Sequence, residues 1–200
     1  SDATCFGERT SLARRWVDRV LSDSRKVFHF YLLGLHMDRL QALAFGRGRT
    51  QRRNIYNRFF RAATSYVLKS FFPQQRVTVT HIFHDSGEME TDELFDWHAI
   101  WRIDAAEGNV AFLTDRIEFI ESDHNREAAY PEDSHLIQLC DVLLGGLTQC
   151  LDNRTTKKGC CEIADLLVPL AERLVDPRRA RNVNSGYHYV RRISMGFFPS

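Results

Sequence analysis

Two hundred residues, 44% of them apolar and 12% aromatic, are enough for a substantial hydrophobic core and exclude disorder as the global state. A formal charge of +1 gives the molecule as a whole no polyanion-binding signature. No apolar run approaches the roughly 20 residues that a membrane-spanning helix needs.

In chain order, Ser11 to Leu21 carries Leu12, Trp16 and Val20 on one face and is predicted to be a helix. Val27 to Met37 is a nearly continuous apolar run, which fits a central strand covered on both faces. Arg47, Arg49, Arg52 and Arg53 then fall in a Gly-containing loop leading into a helix. Asn54 to Phe72 is that helix, with Ile55, Phe59, Ala62, Ala63, Tyr66 and Phe71 inward and Pro73 as its stop. Arg76 to His84 alternates β-branched residues as a second strand and ends at Asp85-Ser86-Gly87. Thr91 to Ala105 reads as a helix capped by Thr91 or Asp92. Val110 to Glu121 holds one long strand or two short ones, and Ser122 to Asp133 is a polar loop. A helix over Glu132 to Gly146, another from Gly159 to about Val175, and a last strand from Tyr187 to Phe198 complete the chain.

Strands alternating with helices predict an α/β fold, a mixed central sheet with flanking helices. It reads as one domain over 1–200, with residues 151–182 as a helical extension packed on it. The chain opens Ser1-Asp2-Ala3 with no signal peptide and no initiator Met, which reads as a processed or engineered fragment or as a sequence whose beginning is absent. The five cysteines, Cys5, Cys140, Cys150, Cys160 and Cys161, form no Cys-x-x-Cys pair and no zinc spacing with His. Free thiols of that kind predict a reducing, cytoplasmic setting. Only four of the 27 basic residues are Lys. Arg is the better phosphate fork, although a GC-rich coding sequence produces the same bias.

The helix Glu132 to Gly146 is the most informative stretch. Leu136, Ile137, Cys140, Leu143, Leu144 and Leu147 recur at helical spacing, so most of its circumference is expected to be buried. The remaining stripe is Ser134, Gln138, Asp141, Gly145 and Thr148. No Lys, Arg or Glu lies between Ser134 and Cys150, so the stripe is expected to face something inside the fold. A buried carboxylate must be hydrogen-bonded, paired or metal-bound. Asp141 therefore reads either as a core Asp satisfied by backbone or Arg, or as a metal-binding or catalytic Asp.

Other acids stand at strand ends, where sites form in α/β sheets: Asp85, then Glu121 and Asp123, with Asp38 after the first strand. Converging carboxylates suit a divalent cation, Mg or Mn; each acid taken singly is also an ordinary turn or cap residue. His81 and His84, three apart on a strand, point to opposite faces and are read as surface or core-edge histidines rather than a shared metal site.

The run Ile137-Gln138-Leu139-Cys140-Asp141-Val142-Leu143-Leu144-Gly145-Gly146, the strand ending Glu118-Phe119-Ile120-Glu121-Ser122-Asp123 and the terminal Arg191-Arg192-Ile193-Ser194-Met195-Gly196-Phe197-Phe198-Pro199 resemble the family called domain of unknown function 3800. The resemblance implies a ribonuclease H-like fold. Gln138 to Asp141 match the family's helix motif, and Asp85 matches the acid closing an earlier strand. The Asp-Ser element matches either Glu121-Ser122 or Asp133-Ser134, and Glu8 loosely matches a Glu-containing element. The family's first strand, ending in Asp-Glu-Ser-Gly, has no counterpart here.

What the resemblance implies is a metal-dependent nuclease or phosphodiesterase. Asp85, Asp141 and Glu121 or Asp123 would hold Mg or Mn, with Gln138, Ser134, Arg52 and Arg53 toward a nucleic-acid substrate. The alternative is a non-catalytic ribonuclease H-like module that binds a protein or nucleic acid. A Ser or Cys hydrolase has little support, since no Gly-x-Ser-x-Gly elbow occurs. Lacking first strands leave the Val27–Met37 run with an open edge, so a homodimer or another partner is expected to cover it.

Overall fold

The computed structural model describes residues 7–23, 27–73, 75–86, 108–123, 125–153, 155–176 and 192–198. Its elements are α1 (Glu8–Leu21), β1 (Phe30–Leu35), a short 3-10 turn (Ala42–Phe45), α2 (Gly48–Phe71), β2 (Val77–Val79), β3 (Phe83–Asp85), β4 (Val110–Phe112), β5 (Glu118–Ile120), α3 (Pro131–Asp152), α4 (Lys158–Val175) and β6 (Ile193–Phe198). The fold is mixed α/β, and every strand pair among the described residues is parallel. Residues 91–105 and 187–191, expected as a helix and the start of a strand, lie outside the described residues. Two compact units emerge, Ser1–Phe28 with Glu121–Val190, and His29–Ile120 with Arg191–Ser200.

The first unit packs α1, α3 and α4 together. On α3 the buried seam is Leu139, Leu143, Gly146 and Leu147, spaced by three and four as one helical face requires. Against it lie Ile163, Ala164, Leu167, Leu170 and Ala171 of α4. Gly146 allows the approach: a Cβ there would stand 2.5 Å from Leu167 Cδ1 and 2.9 Å from Ile163 Cγ2. The turn between the helices uses Asn153 at φ 48, a left-handed conformation that Asn tolerates. Gln149 staples it, its Nε2 donating to Asn153 Oδ1 at 3.0 Å and Thr155 O at 2.9 Å while its Oε1 accepts from Thr155 N at 3.0 Å. The stretch 151–182, read from sequence as an extension, thus contains a helix that belongs to the core of this unit.

In the second unit α2 spans two small cores. Its Ile55 and Phe59 meet Leu40, Leu33, Leu35 and Phe45, and its Leu68 meets Val110, Val77, Val79 and Phe112. The expected strand over 76–84 is two strands, because the chain leaves the ladder at Thr80–Ile82. β2 pairs with β4 and β3 with β5, the same two segments resuming after a break. Hydrogen bonds from Leu113 N to Val79 O and from Glu118 N to Ile82 O, 2.9 and 2.8 Å, carry the connection through it.

The Val27–Met37 run departs from its expected environment. β1 occupies only Phe30–Leu35 and is half-buried at every position, while Val27 and Met37 are exposed. It pairs with β6 from Phe30↔Ile193 to Leu35↔Phe198. Glycines set the close fit: a Cβ on Gly34 would lie 2.6 Å from the Phe197 ring, and one on Gly196 2.6 Å from the Tyr31 hydroxyl. Tyr31 stacks on Tyr66 at 4.3 Å, and Tyr66 Oη lies 3.2 Å from Ser194 Oγ.

Candidate functional site

Asp141 is exposed, which corrects the expectation that its stripe is enclosed. The physical reason is the packing just described: α1 and α4 cover the seam of Leu139, Leu143 and Leu147, not the whole circumference of α3. Leu136, Cys140 and Leu144, expected inside, are exposed as well. The stripe nevertheless has a destination. Asp141, Gly145 and Thr148 line a cavity of about 800 Å³ within the first unit.

The opposite walls of that cavity come from the starts of α1 and α4. Arg9, Thr10 and Ala13 contribute from one, Lys157, Gly159 and Cys160 from the other, with Gln149 and Thr155 below the turn. The two helix starts meet closely, since a Cβ on Gly159 would lie 2.8 Å from Thr10 Oγ1. Neither has a side-chain cap, the residues before them being Gly7 and Lys157. Asp141 is the carboxylate among the lining residues, and Arg9 and Lys157 are the cations. Sequence reasoning missed Arg9 and Lys157. The one available signal was the polar run Thr155-Thr156-Lys157-Lys158 immediately before a helix.

The remaining expected site residues are dispersed and locally engaged. Ser134 is fully buried and donates through Oγ to Pro131 O at 2.8 Å, a bond within the first turn of α3. Gln138 donates to the Ser122 carbonyl and ties the preceding loop to the helix. Asp123 closes a turn: its Oδ1 accepts from Asn125 N and Nδ2, each at 3.1 Å, and Arg126 Nε lies 3.6 Å from Oδ2. Glu121 is exposed, and its N–H donates to Glu127 Oε2 at 2.9 Å. Glu127, which sequence reasoning passed over, organises this loop by also accepting from Ala129 N and Tyr130 N. Those backbone donors hold its carboxyl below the ordinary 4.5.

Asp85 is exposed at the carboxyl end of β3, in the second unit, whereas Asp141 belongs to the first. Among the described residues no three His, Cys, Asp or Glu side chains are grouped to hold a metal ion. His84 carries hydrogen bonds on both ring nitrogens. Its Nδ1 lies 2.6 Å from the Asp85 carbonyl, which only accepts, so Nδ1 bears a proton, and Nε2 is hydrogen-bonded to the Tyr56 hydroxyl. Burial, and then the Asp85 carboxylate, push the Tyr56 phenol above its usual range. His81 lies before β3 and engages Glu118 Oε1 at 3.0 Å.

Arg47, just before α2, is exposed, as are Arg49 and Arg52 on it, and Arg53 is half-buried. The cluster was expected in a loop; α2 begins at Gly48, so Arg49, Arg52 and Arg53 are helical. Arg and Gln are good helix formers, and Gln51 secures this start by donating to Ala42 O and Gly46 O, each at 2.8 Å.

Compared with models of known families, with curated proteins and with solved structures, the chain matches none. No helix among the described residues is long and apolar enough to cross a membrane.

Proposed function

We propose that this chain is a ribonuclease H-like protein acting on nucleic-acid phosphodiesters, with a phosphate seated in the α1–α3–α4 cavity and Asp141 as the carboxylate that meets a Mg or Mn ion there. The observation carrying this reading is that Asp141 lines the same cavity as Arg9 and Lys157. Mg²⁺ keeps several waters and is commonly bound by one or two carboxylates together with substrate phosphates. A single exposed aspartate beside two cations suits an ion that arrives with its substrate. Arg9 and Lys157 would neutralise phosphate oxygens, and the Thr148 and Thr155 hydroxyls would orient them. When bound, such an ion supplies an activated water and charge neutralisation at phosphorus. The resemblance adds Glu121, of the same unit, as a further acid.

The test is thermal melting with Mn²⁺ and a short oligonucleotide, run beside cleavage of labelled single-stranded and duplex DNA and RNA. A ligand stabilises by mass action only where its site exists in the folded state. The Mn²⁺-dependent rise in melting temperature should vanish in Asp141→Asn, a variant whose exposed site leaves the fold intact. Equal rises in both proteins overturn the role of Asp141. Binding without cleavage favours a second reading, a non-catalytic nucleic-acid module, which the exposed arginines of α2 support because they need no metal.

A further inference from the structure

The second unit carries a cationic face that the cavity does not use. α2 contains Arg49, Arg52, Arg53, Arg58, Arg61 and Lys69, and no Asp or Glu along its 24 residues. Arg49, Arg52, Arg53, Tyr56 and Phe60 recur at spacings of three and four, so they share one face of the helix. Arg49 and Arg52 are exposed, and Tyr56 keeps 38% of its surface open. The Tyr56 ring lies within 10° of parallel to Phe60, with centroids 5.9 Å apart. Its hydroxyl bonds to His84, whose ring stands edge-on to Tyr56, Phe60 and Phe119. The tyrosine is therefore oriented before any ligand arrives, which limits the freedom lost on binding. Like charges three and four apart destabilise a free helix, and a polyanion reverses that penalty.

We propose that this face of α2 docks single-stranded nucleic acid, with Arg49 and Arg52 on phosphates and Tyr56 under an unstacked base. The arginines alone would accept any polyanion. The exposed, pre-oriented ring beside them selects the single strand, because paired and stacked bases offer no open π-face. This surface does not depend on Asp141 or on a cation; it adds strandedness to the nucleic-acid reading above.

Fluorescence anisotropy of a labelled oligothymidylate and of a labelled duplex of equal length, both in EDTA, decides the matter. The single strand should bind tighter than the duplex. Tyr56→Ala should weaken single-strand binding about 5- to 150-fold, and Tyr56→Phe, which keeps the ring but loses the hydroxyl bond to His84, should weaken it less than Tyr56→Ala does. Arg49→Gln and Arg52→Gln should each lower the slope of log affinity against log salt by about 0.7. Should Tyr56→Ala fail to fold by circular dichroism, the folded Arg49→Gln/Arg52→Gln double variant carries the test, and an unchanged salt slope in it overturns the proposal. Equal or tighter duplex binding, undiminished binding by Tyr56→Ala, or stronger binding to phosphatidylserine vesicles or polyglutamate would each overturn it too. Because EDTA removes cations, binding here without any Mn²⁺-dependent cleavage refutes the cavity reading alone.

Discussion

Replacing Gly145 and Gly146 by Ala, one at a time, tests the packing of the first unit at the scale of one methyl group. Either change removes a helix-interior glycine, which by itself favours the helix by about 0.8–1 kcal/mol. A Cβ on Gly145 meets nothing within 4 Å, so Gly145→Ala should keep that gain. A Cβ on Gly146 would stand 2.5 Å from Leu167 Cδ1 and 2.9 Å from Ile163 Cγ2. Leu167 is 0% exposed and Ile163 6%, so neither can swing into solvent, and overpacking a closed seam costs about 1–3 kcal/mol. The two variants should therefore differ by about 1–3 kcal/mol. At about 2–4 °C per kcal/mol for a chain of this size, differential scanning calorimetry should place Gly145→Ala above the parent protein and Gly146→Ala below it. If Gly146→Ala melts at or above Gly145→Ala, α4 does not approach α3 at this glycine as described.

Two predictions concern pH. Burial, and then Tyr66, raise the Tyr31 phenol from 10.0 to about 12, so the folded chain keeps that proton longer than the unfolded one. The associated stability is intact below pH 10.0 and is lost as pH rises from 10.0 through about 12. Tyr31→Phe should flatten the alkaline limb of a stability profile and remove from an absorbance titration a phenolate that forms near pH 12; an unchanged limb would place this hydroxyl in water. For Glu127 the sign is opposite. Its folded carboxyl is held below 4.5, so its contribution is present above that pH and lost as pH falls through the folded value. Melting curves of Glu127→Gln taken down the acid limb should fall less steeply than those of the parent, and parallel limbs would show that the loop gains nothing from the charge.

Apolar spacing made the four helices legible, since the residues that recur along α1, α2, α3 and α4 do share faces. What covers a face is a different question. On α3 the expected seam and the observed one overlap only at Leu143 and Leu147: Leu136, Cys140 and Leu144 are exposed and Ser134 of the polar stripe is buried, because a run without Lys or Arg reads alike at a buried wall and at a cavity. Strand lengths were less legible. Thr80 and His81 fit the alternation of Arg76 to His84, but three residues on one segment face five on the other between the paired blocks, a mismatch that no single segment can display. Asp123 and Asp141 are the same residue type; only the neighbouring donors Asn125 and Arg126 make the first a turn and leave the second on a cavity wall. Arg9 and Lys157 had no periodic signal, being polar residues at helix starts.

The second unit is closed by a strand from the far end of the chain. β1 and β6 pair in parallel, with the Glu121–Val190 segment of the first unit between them in sequence. A parallel pair cannot be joined by a tight turn, so some excursion is unavoidable, and its entropic cost grows only by about 0.6 kcal/mol for each doubling of length. Routing the chain through another unit is therefore cheap in stability, whereas a contact of such sequence separation is slow to form. The reward lies in the strand interface itself, where Gly34 admits the Phe197 ring, Gly196 admits Tyr31, and Phe198 packs on Phe59 with centroids 5.0 Å apart. Until those contacts exist, the backbone groups of β1 that face β6 have no ladder partner. Helices α3 and α4 of the first unit, neighbours in sequence and stapled by Gln149, can form without them. Until β6 arrives, therefore, β1 keeps an unpaired backbone edge flanked by half-buried aromatic and aliphatic side chains, and such an edge is open to pairing with another copy.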